Sequence, residues 1–373
     1  MSEAVEPGRP VENGRPWRTL RDVAIAVAVV GVIWLGLRVL RDPEAFAGWG
    51  DLTGKLAQAM LALVLGIAGI WALFIVVNSL VDHLPTRAAE VIRPWVFVLP
   101  ALAVVSVYLI YPAIRTIIQS FTEVPEGSGP LTNYVNAFTD PDVQIALRNN
   151  VIWLLVAPAA AVVIGLAFAA LADRVKHEAL AKTFVFLPLA ISMVGASVIW
   201  GFVYQWRVPG TPQVGAINAV VQAFGGEPIP FMQEIPINTF AMIVIMIWLQ
   251  VGFAMVILSA AIKGVPVELT EAARIDGASE LQNFFKILVP SIRGSIITVF
   301  TTIAIVVLKV FDIIFVMTGG SFDTSVVAVR MYEEMFRFRN FGQATTMAVI
   351  LFVAVIPIMV INVRNLRKQG IGS

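Results

Sequence analysis

Long apolar runs separated by short polar intervals set the layout of this chain. A helix needs roughly 20 apolar residues to cross a bilayer. Eight runs come close to or exceed that length: Val23–Leu40, Leu56–Val81, Trp95–Ile114, Val151–Ala172, Thr183–Tyr204, Thr239–Ile262, Ser295–Thr318 and Ala344–Val363. They predict an all-α integral membrane protein with about eight transmembrane helices. Pro100 and Pro112 predict a kink in the third run, because proline removes a backbone donor and crowds the preceding turn. Residues 1–21 carry Pro7, Gly8, Pro10, Gly14 and Pro16 among mixed charges and read as a disordered tail. That tail is too polar for a signal peptide, so the first run reads as an uncleaved anchor.

Composition agrees and narrows the chemistry. The chain is 58% hydrophobic and 14% charged, whereas a soluble domain is about half apolar and a quarter charged. A net charge of +1 argues against a nucleic-acid partner. There is no Cys, and His83 and His177 are the only histidines. This removes thiolate catalysis and Cys or His metal clusters. No glycine-rich G-x-x-x-x-G-K-[ST] phosphate loop occurs. Any nucleotide hydrolysis coupled to this chain therefore belongs to another polypeptide.

Basic residues set the orientation, since cytoplasmic loops carry an excess of Lys and Arg. With the amino terminus inside, 16 of the 26 Lys and Arg fall in cytoplasmic segments and nine outside, with Lys309 within a run. Both termini are then cytoplasmic. Two outside segments, Arg115–Asn150 and Gln205–Asn238, are long for simple connectors. Asn133-Tyr134, Phe138 and Asp140-Pro141-Asp142 predict a short folded lid or a docking surface there.

The polar island Val265–Pro290 between the sixth and seventh runs predicts two short helices and a sharp turn. Pro266 suits a helix start. Glu268, Leu269, Glu271, Ala272 and Ala273 favour helix, with acids near its positive end. Gly277 marks the left-handed stop. Ser279 and Gln282 form a capping box for the second helix. Such a structure, tethered by a span on each side, is a handle for a soluble partner or an ordinary amphipathic loop.

Polar residues within the runs are the second set of candidates. Lys309 and Asp312 are three apart in the seventh run, a spacing that puts them on one helix face, close enough to pair, with Thr302 on the same face. They either neutralise each other or line a hydrated path. Gln250 and Phe253 share a face of the sixth run and combine an amide with an aromatic ring, the pairing that a sugar site uses. Ser192 and Ser197 in the fifth run, with Gly195, fit either a path or helix packing.

Glu271-Ala272-Ala273, Asp276-Gly277-Ala278, Ile287 and Pro290 together resemble the EAA loop of ATP-binding-cassette (ABC) importer permeases. Phe311-Asp312-Ile313 with Thr318-Gly319-Gly320 is similar to carbohydrate permeases, as are Met331-Tyr332 through Phe341-Gly342, Ala146 to Asn150, Ala172-Asp173-Arg174 and Gly195 to Trp200. These stretches most resemble the first permease subunit of alpha-glucoside importers, relatives of the maltose permease, over about Trp95 to Arg367. The loop reads Gly319-Gly320-Ser321 where that family has Gly-Gly-Pro, and Gln250 stands where maltose-type members keep a small residue. The resemblance implies a six-helix type I ABC importer core at 94–373 and two additional amino-terminal helices at 22–93. It implies that Glu271, Ala272, Ala273, Arg274, Asp276 and Gly277, in the loop 265–290, couple to an ATPase. It further implies a second permease subunit, two ATPase subunits carrying ATP and Mg, an extracytoplasmic sugar-binding protein, and a bacterial cytoplasmic membrane; no cofactor is bound by this chain itself. The rival readings are a membrane enzyme such as a lipid-linked glycosyltransferase and an ion-driven carrier. The enzyme would use Asp140, Asp142, Glu333 or Glu334, which are scattered over different loops. The carrier would show inverted repeats, and no internal repeat is visible.

Overall fold

The computed structural model describes residues 51–82, 85–172 and 176–368, with further helical positions between 28 and 41. The tail 1–21, half of the first apolar run, and Asp173 and Arg174 lie outside the described residues. The chain divides into two compact units, Met1–Pro112 and Ala113–Ser373.

In the first unit α1 (Asp51–Asp82) is followed by α2 (Thr86–Val105). Val81, Ala89 and Val96 form a small buried cluster, and the Phe74 and Phe97 rings stack at 5.7 Å. Leu56, Leu63, Ile67, Ile70 and Trp71 stay exposed, which is the arrangement expected where the surrounding medium is itself apolar. A π turn, Ser106–Ile110, precedes Pro112. Proline cannot bond to the carbonyl four residues back, and its ring pushes that carbonyl aside, so the turn widens instead of closing normally.

The second unit follows with α3 (Tyr111–Thr122), α4 (Thr132–Thr139), α5 (Pro141–Ala172), α6 (Glu178–Phe186), α7 (Met193–Val203), α8 (Ala216–Ala223) and α9 (Ile237–Lys263). After these come α10 (Val267–Ile275), α11 (Glu280–Asn283), α12 (Val289–Ser291), α13 (Arg293–Leu308), α14 (Asp312–Met317), α15 (Val327–Tyr332) and α16 (Phe341–Lys368). No strand occurs among the described residues.

The core is built around the α5–α9 pair. Ala157, Ala161, Gly165 and Ala169 recur every four residues on α5, so they form one stripe; the three alanines are fully buried. Small residues let two backbones approach closely. A β-carbon added at Gly165 would lie 2.6 Å from the Ala254 β-carbon. One added at Gly252 would lie 2.5 Å from the Val185 carbonyl oxygen and 2.6 Å from Phe186 Cα. Met242, Ile243, Ile245, Met246, Met255 and Leu258 of α9 fill the centre with at most 1% exposure.

Five described helical runs are long and apolar enough to cross a membrane: Leu52–Trp71, Arg87–Thr122, Pro141–Ala172, Ile237–Lys263 and Phe341–Arg367. Two bent pairs bring the number to at most seven: Glu178–Ala190 with Met193–Val203, bent by 102°, and Glu280–Ser291 with Arg293–Leu308, bent by 69°. The straight fifth and seventh runs expected from hydropathy are thus corrected. The fifth breaks at Ile191–Ser192, where Ser192 Oγ accepts the Gly195 amide at 3.0 Å and caps a new helix. The seventh breaks after Leu308: Lys309 has φ −101° and ψ 17°, and Phe311 has φ −136°. Neither Gly nor Pro lies at 308–312. The buried Asn150 amide donates to the Leu308 carbonyl at 3.1 Å, supplying a partner that a continuing helix would otherwise provide.

The α5–α9 contact predicts an asymmetric tolerance. Gly165→Val places a branched side chain against the Ala254 backbone, and overpacking of this kind costs about 1–3 kcal/mol. The purified variant should show a lower thermal unfolding midpoint, while Gly66→Ala, which meets nothing within 4 Å, should match the parent. Equal midpoints for all three proteins would refute the close-contact account.

Candidate functional site

The polar island takes the shape its residues dictate. Helix α10 starts directly after Pro266 and ends in a Schellman turn: the Gly277 amide donates to Arg274 O at 3.1 Å and the Ala278 amide to Ala273 O at 2.9 Å. Gly277 sits at φ +83°, a conformation that glycine adopts at no steric cost. The capping box forms in both directions, with the Ser279 amide donating to Gln282 Oε1 at 2.9 Å and the Gln282 amide to Ser279 Oγ at 3.3 Å. Arg274 bridges the turn through Nε to Glu280 Oε1 at 2.9 Å. Hydrogen bonding to that carboxylate pushes the Arg274 pKa up. Ala273 is buried, while Glu271, Ala272, Asp276 and Gly277 face outward.

Sequence reasoning passed over the apolar side chains that this loop leaves uncovered. Ile275 is 86% exposed, Leu281 71% and Phe285 63%. Apolar residues are common in the chain, so nothing in the pattern set these apart before the turn was seen. Large exposed apolar side chains on a polar loop are the kind of surface that a partner covers. The base of the loop is pinned. The Glu178 carboxylate meets Lys182 at 2.5 Å and also Lys263, and the Lys182 ammonium donates to the Ser259 hydroxyl.

The membrane-depth residues do not form one cluster. Gln250 is buried and its side-chain amide makes no hydrogen bond among the described residues; Phe253, three residues on, is half-buried. Ser192 is the helix cap already described. Ser197 Oγ donates to Met193 O at 2.8 Å, and Thr302 Oγ1 to Thr298 O at 2.8 Å. Because the helix breaks between them, Lys309 and Asp312 do not share a continuous helical face, and they make no ion pair among the described residues. Lys309 instead rims an apolar cavity of about 630 Å³ lined by Phe311, Met331, Tyr332, Phe336 and Phe352.

Buried asparagines hold the opposite end of the unit. Asn149 Nδ2 donates to Asp323 O and Ser325 O at 2.7 and 2.8 Å, and Asn150 Oδ1 accepts the Val327 amide at 2.8 Å. Asn238 Nδ2 donates to Phe322 O at 2.7 Å. In the first long segment, α4 is fastened to α3 by Asn133 Nδ2 on Glu123 O at 2.9 Å and by a 2.8 Å bond between the Tyr134 and Ser120 hydroxyls. In the second, Asn218 grips both strands of the loop: Nδ2 donates to Gln205 O at 3.1 Å and Ile229 O at 2.9 Å, and Oδ1 accepts the Ile229 amide at 2.8 Å.

The acids considered for an enzyme are not scattered as their positions in the chain imply. Asp140, Asp142, Glu333 and Glu334 gather around the Arg330 guanidinium at 3.9, 3.9, 3.2 and 3.4 Å. Burial pushes the Glu334 pKa up, against the pull of Arg330. The cluster joins the start of α5 to α15 and the turn after it.

Comparison with known proteins gives this geometry a lineage. The family model described as binding-protein-dependent transport system inner membrane component matches residues 144–368. The osmoprotective compounds uptake permease protein GgtC of Synechocystis sp. is 50% identical over 274 residues, covering 73% of this chain and 98% of the relative. The alpha-glucoside transport system permease protein AglF of Rhizobium meliloti is 43% identical over 337 residues, covering 85% and 99%. A chain of the bacterial alginate ABC transporter, solved with an alginate pentasaccharide-bound periplasmic protein, shares the fold with a TM-score of 0.61 at 19% identity, covering 76% of this chain and 98% of its own. The architecture is that of a type I ABC permease, and the relatives are permeases, not enzymes. With well over half its length matched by the family model and by these relatives, this chain belongs to the family of binding-protein-dependent transport system inner membrane components.

Proposed function

We propose that this chain is a membrane-spanning subunit of an ATP-driven sugar importer, carrying alpha-glucosides or related oligosaccharides. The single observation that carries the substrate class is the 43% identity with AglF over almost the whole of that relative. Other sugar permeases support it, including the lactose transport system permease protein LacF of Rhizobium radiobacter at 28% identity over 71% of this chain. The chain forms half of the translocation pathway and pairs with a second permease subunit. Two ATPase subunits carry ATP and Mg, and an extracytoplasmic binding protein delivers the sugar.

Coupling runs through α10. ATP binding closes the ATPases, and the docked helix follows. This biases a two-state cavity between inward-open and outward-open forms. Support comes from the exposed Ile275, Leu281 and Phe285 beside Glu271, on a turn whose shape is fixed by Gly277 and the Arg274–Glu280 bridge. The protein lies in the bacterial cytoplasmic membrane with eight crossings and both termini inside, counting the first apolar run.

Docking predicts that Ile275→Ala and Glu271→Lys leave membrane insertion intact while weakening ATPase capture. Removal of an anchoring interface side chain costs about 2 kcal/mol, roughly 30-fold in affinity. Co-purification of the ATPase with the permease pair measures this; parental recovery with both variants would sink the docking assignment. The orientation has its own test. Cysteine introduced singly at Ser128, Gly226 and Ser321 should react with an impermeant thiol reagent in intact cells, and cysteine at Ser279 should react only after lysis. Labelling of Ser279→Cys from outside would reverse the topology.

A further inference from the structure

A cavity of about 370 Å³ lies at the end of α7, next to the segment leading into α9. Since α9 enters at Ile237 and leaves at Lys263 towards the α10 loop, this cavity is at the end of the helix opposite the coupling loop. Its wall holds Tyr204, Gln205, Trp206, Phe231 and Gln233, and no Asp, Glu, Lys, Arg or His. That neutrality contrasts with the nearby cleft around Arg330 and Glu333.

The wall pairs ring faces with amides. Tyr204 packs between Trp200 and Phe231, each at 5.1 Å between ring centroids. Trp200 in turn meets Trp248 at 5.9 Å, two residues before Gln250 on α9. The aromatic series therefore runs from the cavity to the middle of the membrane helix. The Gln205 and Gln233 side chains are exposed and make no hydrogen bond among the described residues. Trp206 Nε1 is buried without a partner, whereas a buried indole N–H normally has one.

The two halves of the wall are held in register before any ligand arrives. The Asn218 amide, fully buried, bonds to both Gln205 and Ile229. This fixes Gln205 and Trp206 on one side against Pro230 and Phe231 on the other. Preorganisation of this kind lowers the ordering cost of binding.

We propose that this cavity, whose wall includes Ser197 but not Gln250, Phe253, Thr302, Lys309 or Asp312, is a vestibular glycoside site where an uncharged sugar rests before it reaches the Gln250 region. Ring faces receive the apolar C–H faces of a pyranose. The Gln205 and Gln233 amides, both exposed, donate hydrogen bonds to its hydroxyls and accept from them. The volume lies at the small end of ligand sites, about 300–1,000 Å³, so one or two pyranose units fit. The absence of charge among the lining residues selects against uronic acids, whose carboxylate would lose water without gaining a cation. This inference rests on the sugar-importer reading and adds a place and a selectivity to it.

The test uses the assembled importer in vesicles, with partner chains free of cysteine; this chain has none. Val198→Cys puts a thiol on the exposed part of the cavity wall. Labelling by an impermeant maleimide is timed with and without maltose, trehalose, sucrose and galacturonic acid, and uptake of each sugar is measured on the same vesicles. A transported neutral sugar should slow labelling at least fivefold, and galacturonic acid should not. Phe224→Cys, at an exposed site outside the cavity, should label at one rate throughout. Gln233→Ala and Gln205→Ala should each weaken the protection about three- to tenfold, the span of one net hydrogen bond. Uptake without protection would overturn the vestibule and leave the importer standing. Protection by galacturonic acid equal to that by maltose would overturn its selectivity. No uptake of any neutral sugar would remove the importer reading, and the vestibule with it.

Discussion

Everything in the larger unit leans on one close approach, that of α5 and α9. Hydrocarbon surroundings supply no hydrophobic drive for one apolar helix to prefer another. Contact has to come from shape, and the stripe Ala157, Ala161, Gly165 and Ala169 provides it. With no side chain at Gly165, α5 meets the α9 backbone at Ala254, Gly252 in turn lets α9 meet α6 at Val185 and Phe186, and the methionines and isoleucines of α9 fill what remains. Helices α6, α7 and α13 then pack on this pair, which is why breaks in them can be tolerated.

Buried amides stabilise the break after α13 and the loops near it. Each helix end leaves carbonyl or N–H groups without an internal partner, and those buried away from water need one from a side chain. Asn149 and Asn150 answer this for the segment after α13, Asn218 for the loop before α9, and Asn238 for the turn at Phe322. These side chains reach across 11 to 177 positions of the chain. They place the polar ends of the helices without covalent links or charges.

The shape of the polar loop 265–290 was legible in the sequence because its determinants are local: a proline, a left-handed glycine and a capping box act over three or four residues. The apolar runs were legible because bilayer thickness imposes their length. The bends were not. At Lys309–Phe311 the deciding group is Asn150, far away in the chain, and no glycine or proline announces the interruption. The same holds for Arg330, which draws together acids separated by nearly 200 positions. The wall formed by Gln205, Trp206 and Phe231 depends on Asn218, whose role shows only once both strands of its loop are seen side by side.

Helix α9 is also a rigid rod. Its 27 residues extend about 40 Å. One end carries the polar turn through Lys263 and Gly264, and the other holds Phe322 through Asn238. The tight contact at Gly252 divides it into arms of about 16 Å and 22 Å. A rod held in this way acts as a lever with unequal arms. A tilt of about 10° about that fulcrum would carry the polar-turn end about 3 Å and the Phe322 end about 4 Å, in opposite directions. Displacement at the polar turn would therefore reach the far loops enlarged, with no helix needing to unwind.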